Sequence, residues 1–137
     1  MKKIIILFLV FTASVASVFI VQMMITKLWN FGGVSWGPGN LPVHPVQQTA
    51  MLCTTFLAGL FAPIVAIAIC RRIPWVVIFS ICAFGLTIDV FAVLVPLASL
   101  PLWFKLSFVI SVPLQVYVGT KIGVLLFLSK RPRVSYS

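Results

Sequence analysis

Apolar residues fill four long runs of this chain, and short polar or glycine- and proline-rich segments separate them. A helix that crosses a bilayer needs about 20 mostly apolar residues. The four runs meet that requirement and predict helices over residues 4–28, 46–70, 75–95 and 102–128. The connecting sequences "CRRIPW" and "PLASLP" contain prolines, which stop helices, and both are short enough to form tight turns. The pattern predicts an all-α, polytopic integral membrane protein. Its single domain (1–137) is expected to be a four-transmembrane-helix bundle of two hairpins.

Composition supports lipid as the solvent of this chain. Hydrophobic residues make up 62% of it and charged residues 8%, against about a quarter charged in a typical soluble domain. A soluble domain of this size leaves too much of its surface exposed to hide so many apolar side chains. The net charge of +9 would suggest nucleic acid if the basic residues formed one patch. They stand instead at the ends of the apolar runs, so the expected partner is the lipid bilayer and not nucleic acid.

The distribution of lysine and arginine predicts the orientation, because cytoplasmic loops carry an excess of both. With the N-terminus inside, Lys27 and Lys105 fall on the outer side, and Lys121 lies near the inner end of the fourth helix. The remaining basic residues all fall on the inner side: Lys2, Lys3, Arg71, Arg72, Lys130, Arg131 and Arg133. We therefore expect a multi-pass protein of the cell (inner or plasma) membrane with both termini cytoplasmic.

The first residues admit a second interpretation. The stretch "MKKIIILFLVFTASVAS" has the lysines, apolar core and small residues of a signal peptide. The apolar run nevertheless continues through "VFIVQMMI" to the length of a full span. The sequence therefore favours an uncleaved first helix.

Asp89 is the only acidic residue of the chain, and it lies inside the third apolar run. Insertion of an Asp near the centre of a membrane helix costs about 2.5–3.5 kcal/mol. Helical spacing puts Gly85 and Ala92, together with Cys82, on the same face as Asp89, which predicts that the carboxyl group points into a helix contact. The carboxyl group has three possible arrangements: it pairs with Lys105, stays protonated, or meets a cation from a substrate or partner. Lys105 also has the alternative of reaching the headgroups by itself.

Two helices carry stripes of small or polar residues at a spacing of four. The stripe on the second helix is Ala50, Thr54, Ala58, Ala62, Ala66 and Cys70, and the stripe on the fourth is Ser107, Ser111, Gln115, Gly119 and Gly123. Small residues let helix backbones approach closely, which is a main source of helix association in lipid. The sequence predicts helix packing through these positions. The stripes either meet each other in a monomeric bundle or face a second copy or a partner protein.

The segment "WNFGGVSWGPGNLPVHPVQQ" is the longest one between spans, and its glycines and prolines argue against a regular element. Its tryptophans suit the headgroup level, so it is expected to lie on the outer membrane surface. The alternative is a lid or docking surface with Trp36, His44, Gln47 and Gln48 as contact residues.

The sequence predicts no metal site and no cofactor. His44 has no acidic neighbour in sequence, which makes it a poor metal ligand. Cys53, Cys70 and Cys82 are too widely spaced for a zinc site and odd in number for a disulfide framework.

The candidate chemistry is sparse, and we do not expect an enzyme. Acid–base catalysis usually needs two positioned titratable groups, and the predicted spans offer one Asp, a few lysines and thiols. The leading hypothesis is a small accessory or assembly subunit that packs its stripes against a membrane partner or against itself. The alternative is a small oligomeric transporter or channel with Asp89 as its proton or cation site. A toxin-immunity role is a third idea, with no residue that specifically supports it.

Overall fold

The computed structural model describes residues 2–37 and 41–129. They form four helices: α1 (Lys2–Phe31), α2 (Pro45–Cys70), α3 (Trp75–Leu94) and α4 (Leu102–Phe127). Each is long and apolar enough to cross a membrane. The predicted all-α class and the four long apolar helices are therefore confirmed, and their length and composition are those of a multi-pass membrane protein. The basic tail that contains Lys130, Arg131 and Arg133 lies outside the described residues.

Local sequence explains where the helices begin and end. The chain leaves α1 through Gly33, whose φ of +88° suits a residue without a Cβ. Pro45 occupies the first turn of α2, where its missing N–H costs no hydrogen bond. Arg71 ends α2 in the left-handed conformation, with φ of 52°, and its N–H donates to the Ile67 carbonyl at 2.8 Å. Pro74 stands directly before α3, as Pro101 does before α4.

The helices form two hairpins joined through one helix pair. α1 packs along α2, α3 packs along α4, and α2 packs along α4 to unite the hairpins. α1 and α3 meet over a much shorter stretch. Around the bundle the order is therefore α1, α2, α4, α3, so α2 and α3 lie across from each other although they are adjacent in sequence.

Glycines let α4 approach α2 closely, and the two helices run parallel. A Cβ at Gly119 would lie 2.5 Å from the Leu60 carbonyl oxygen and 2.6 Å from Pro63 Cγ, while one at Gly123 would meet Ile67 Cδ1 at 2.9 Å. The contacts advance along both chains together, which makes the helices parallel. α2 remains helical through Pro63.

Two apolar clusters hold the bundle. One contains Val10, Ala62, Ala66, Ile67, Val77, Ile78, Ile81 and Val116. The other contains Leu97, Phe104 and Phe108, with Leu41 and Met51 packed against them. Along α2, α3 and α4 the positions between these clusters carry three polar side chains: Thr55, Asp89 and Gln115.

Candidate functional site

A cavity of about 250 Å³ lies inside the bundle, and each helix contributes one polar side chain to its wall. These are Gln22 from α1, Thr55 from α2, Asp89 from α3 and Gln115 from α4. The rest of the wall is almost entirely aliphatic and aromatic. The sole acidic side chain of the sequence therefore shares an apolar cavity with two amides and a hydroxyl.

Asp89 is 8% exposed. Among the described residues its Oδ2 atom has no hydrogen-bond partner, and neither does the buried Thr55 Oγ1. Leaving a buried acceptor without a partner costs about 1–3 kcal/mol, and more for a charged group. Gly85 and Ala92 line the same cavity, in keeping with the helical spacing. The two unpartnered oxygens give the cavity capacity to bind a donor or a cation.

Gln115 is fixed by a close approach to α2. With its amide assigned in the orientation that pairs donors with acceptors, Nε2 donates to the Thr55 carbonyl at 2.9 Å and to the Phe56 carbonyl at 3.3 Å. A Cβ at Gly59 would overlap this amide. The glycine therefore makes room for Gln115 beside the α2 backbone, and the amide N–H groups are used within the bundle.

The structure does not pair Asp89 with Lys105. Lys105 Nζ donates instead to the carbonyl of Ala98 in the α3–α4 connection. Lys121 is exposed and lies over the Tyr117 ring, 5.6 Å from its centroid. Within residues 2–37 and 41–129 no hydrogen bond to Asp89 is formed from a basic side chain, so the pairing with Lys105 is not the arrangement adopted.

Most of the stripe residues are buried inside one chain. Ala58, Ala62, Ala66, Gln115, Gly119 and Gly123 are all buried. On α2 the positions that meet the α4 glycines are Leu60, Pro63 and Ile67, whereas stripe residue Thr54 accepts a hydrogen bond from α1 at Trp29 Nε1, at 2.9 Å. At Gly119 and Gly123 the α4 stripe therefore packs against α2 residues that lie outside the α2 stripe.

Ser107 and Ser111 differ from the rest of the α4 stripe. Ser107 is exposed and Ser111 half-buried. Both line an open groove between α2 and α4, together with Leu52, Cys53, Phe56 and Leu57. The Ser111 hydroxyl donates to the Phe108 carbonyl of its own helix at 2.7 Å.

The contact residues proposed in the α1–α2 connection bond to the chain itself. Gln47 is buried: its Oε1 accepts from the Val43 and His44 N–H groups at 2.8 and 3.0 Å, and its Nε2 donates to the Ser35 carbonyl. Trp36 Nε1 donates to Asn30 Oδ1 at 2.6 Å. His44 is exposed just before α2. Gln47 therefore ties the loop to the start of α2.

Sequence reasoning missed both Gln22 and Thr55 as wall residues of the cavity. The available signal was that each interrupts an apolar run. The sequence does not show which helices pack against each other, so a polar residue in one apolar run cannot be related to Asp89 in another.

The described residues contain no group of three His, Cys, Asp or Glu that could hold a metal ion. No protein-family model matches the sequence, and neither a curated protein nor a solved structure is similar to it.

Proposed function

We propose that this chain is a non-enzymatic membrane transport protein that binds a cation in the bundle cavity, with Asp89 as the cation site. The observation that carries the proposal is the unpartnered Asp89 carboxyl oxygen on the cavity wall. An ionisable group within a membrane helix is costly and usually marks a substrate or ion pathway. A bound cation would neutralise the carboxylate and offset the cost of burying it.

The wall supports binding beyond the charge itself. Thr55 Oγ1 adds a second unpartnered oxygen, and Gln22 adds an amide from α1. Because the stripe residues Gly119 and Gly123 are buried against α2, they leave less small-residue surface for a partner than the sequence alone suggested. The cavity therefore favours transport over the accessory-subunit hypothesis.

The test is cation flux into proteoliposomes under an inside-negative membrane potential, with protons, Na⁺ and benzyltrimethylammonium followed separately. We expect wild-type protein to carry at least one of these at ten or more times the rate of Asp89→Asn, because the amide keeps the shape of the side chain but cannot ionise. Thr87→Val is the matched control, since Thr87 is exposed on the same helix and bonds only its own backbone.

Folding of each variant is checked by circular dichroism and size exclusion before reconstitution. The transport proposal is overturned if every cation enters wild-type vesicles no faster than protein-free ones, or if Asp89→Asn matches the wild type.

The membrane and orientation belong to the same proposal: the cell (inner or plasma) membrane, with both termini cytoplasmic. Reporter fusions at Gly39 should read outside and fusions at Arg72 and Ser137 inside; Gly39 and Ser137 lie outside the described residues. The physical reason is the excess of lysine and arginine on one side. An outside signal from Ser137 would contradict the four-span topology.

The accessory or assembly role is a second candidate, and the groove lined by Ser107 and Ser111 favours it. This groove would take an apolar helix of a partner membrane protein, because small residues permit close backbone approach. Filling the groove by Ser111→Leu should reduce recovery of that partner in mild detergent without lowering the thermal stability of the isolated protein. If the wild-type protein and Ser111→Leu recover the same amount of partner, the groove is not the contact surface.

A further inference from the structure

We infer that the cation is a small amphipathic organic ammonium ion, which reaches Asp89 from the bilayer through an opening between α1 and α3. This inference rests on the proposed cation site. It adds the chemical class of the ligand and the route by which the ligand arrives.

The wall chemistry favours an organic cation over a metal ion. Hard cations such as Ca²⁺ take about six to eight oxygen ligands, whereas the cavity offers one carboxylate, the Thr55 hydroxyl and two amides. Three aromatic rings, from Phe19, Phe84 and Phe108, line the same space. Aromatic faces attract ammonium groups and also bury apolar substituents. One buried anion beside aromatic walls matches a ligand with one positive charge and an apolar body.

Volume limits the size of that ligand. The cavity of about 250 Å³ falls just below the range of about 300–1,000 Å³ typical of sites for drug-sized molecules. The ligand is therefore expected to carry one ring or a short alkyl chain beside its ammonium group.

The cavity opens sideways between α1 and α3. Phe19 on α1 is 55% exposed, and Phe84 and Ile88 on α3 are each 43% exposed, although all three line the cavity. Side chains that reach both the cavity and the outer surface mark an opening. α1 and α3 meet only over a short stretch, which includes an edge contact between Phe11 and Phe84 with ring centroids 5.7 Å apart. At this depth in four apolar helices the opening faces lipid tails, where an amphipathic cation concentrates.

The unique acid allows a direct test, because a carbodiimide that modifies an acidic side chain of this protein has only Asp89 to modify. The carboxyl group adds across the carbodiimide, and the adduct rearranges to a stable N-acylurea that mass spectrometry locates in the Asp89 peptide. In proteoliposomes we expect the membrane-soluble dicyclohexylcarbodiimide to label Asp89 at least ten times faster than a water-soluble carbodiimide does. Faster labelling by the water-soluble reagent would overturn entry from the bilayer.

Ligand class is tested by protection of the same residue. Benzyltrimethylammonium should slow labelling at least tenfold at saturation. Its uncharged isostere neopentylbenzene, in which carbon replaces the ammonium nitrogen, should slow it less than twofold, as should NaCl at equal ionic strength. This comparison uses wild-type protein, so it does not depend on whether a variant folds. Calorimetric titration of benzyltrimethylammonium into Asp89→Asn should show affinity reduced at least tenfold.

The outcomes separate this inference from the transport proposal. Asp89-dependent flux of protons or Na⁺ without protection by benzyltrimethylammonium would overturn the organic-cation inference and leave the cation site intact. If neopentylbenzene protects Asp89 as well as benzyltrimethylammonium does, the cavity recognises shape alone. That result would also overturn the organic-cation inference. If no cation shows Asp89-dependent flux and none protects Asp89 from labelling, both the transport proposal and the organic-cation inference are overturned.

Discussion

Gly119→Ala should destabilise the protein, whereas the same substitution at Gly85 should be neutral or stabilising. Both glycines lie inside helices, so both variants gain about 0.8–1.0 kcal/mol of helix propensity. At Gly119 the new Cβ would lie 2.5 Å from the Leu60 carbonyl oxygen, which is backbone and cannot turn aside. At Gly85 it would meet only Val112 Cγ1, at 3.1 Å, on a side chain that borders the cavity. The difference between the variants therefore isolates the close contact of α2 with α4.

Relative to Gly85→Ala, which has the same gain in helix propensity, we expect Gly119→Ala to lower the free energy of unfolding by about 1–3 kcal/mol, the usual cost of overpacking. Gly119→Leu should lower it further, because a longer side chain forces the helices apart. The measurement is unfolding by SDS in mixed micelles, followed by circular dichroism. Equal stabilities for Gly119→Ala and Gly85→Ala would show that this contact does not hold α4 against α2.

Asp89→Leu should stabilise the ligand-free protein by about 1–3 kcal/mol, because it removes a buried acceptor that has no partner. The neighbouring cavity leaves room for the larger side chain. The control is Val90→Leu on the exposed side of α3, where we expect a change within about 0.5 kcal/mol. A loss of stability in Asp89→Leu would mean that the carboxyl group is a structural contact rather than a binding group.

A cation should change this order of stabilities. At one hundred times its dissociation constant, a ligand that binds only the folded state adds about 2.7 kcal/mol. Saturating benzyltrimethylammonium should therefore raise the free energy of unfolding of the wild-type protein to that of Asp89→Leu or above it. The free energy of unfolding of Asp89→Leu itself should not change. An equal rise in both proteins would point to an effect of the salt and against binding at Asp89.

The number of helices and their ends followed from sequence because both depend on local chemistry. An apolar run of sufficient length inserts as a helix whatever its neighbours are, and Pro45, Pro74 and Pro101 mark starts that need no tertiary contact. None of the predicted helix ends differs from the structure by more than three residues. The lone Asp89 was also visible from sequence, because a carboxylate in an apolar run is costly wherever its side chain points.

Only the tertiary structure decided which residues surround that carboxylate. In lipid the outer face of a helix is as apolar as the inner one, so hydrophobic periodicity carries little information about which face is buried. Gln22, Thr55 and Gln115 belong to three other helices, and they line one cavity with Asp89 because α2 lies between α1 and α4. Asp89 and Lys105 lie near the facing ends of consecutive predicted helices, so the sequence allowed them to pair. In the structure the Lys105 ammonium group donates to the nearby Ala98 carbonyl and not to Asp89. Rotation of each helix about its axis and the choice of neighbours arise from contacts between distant segments, and these contacts turn an isolated acid into a site.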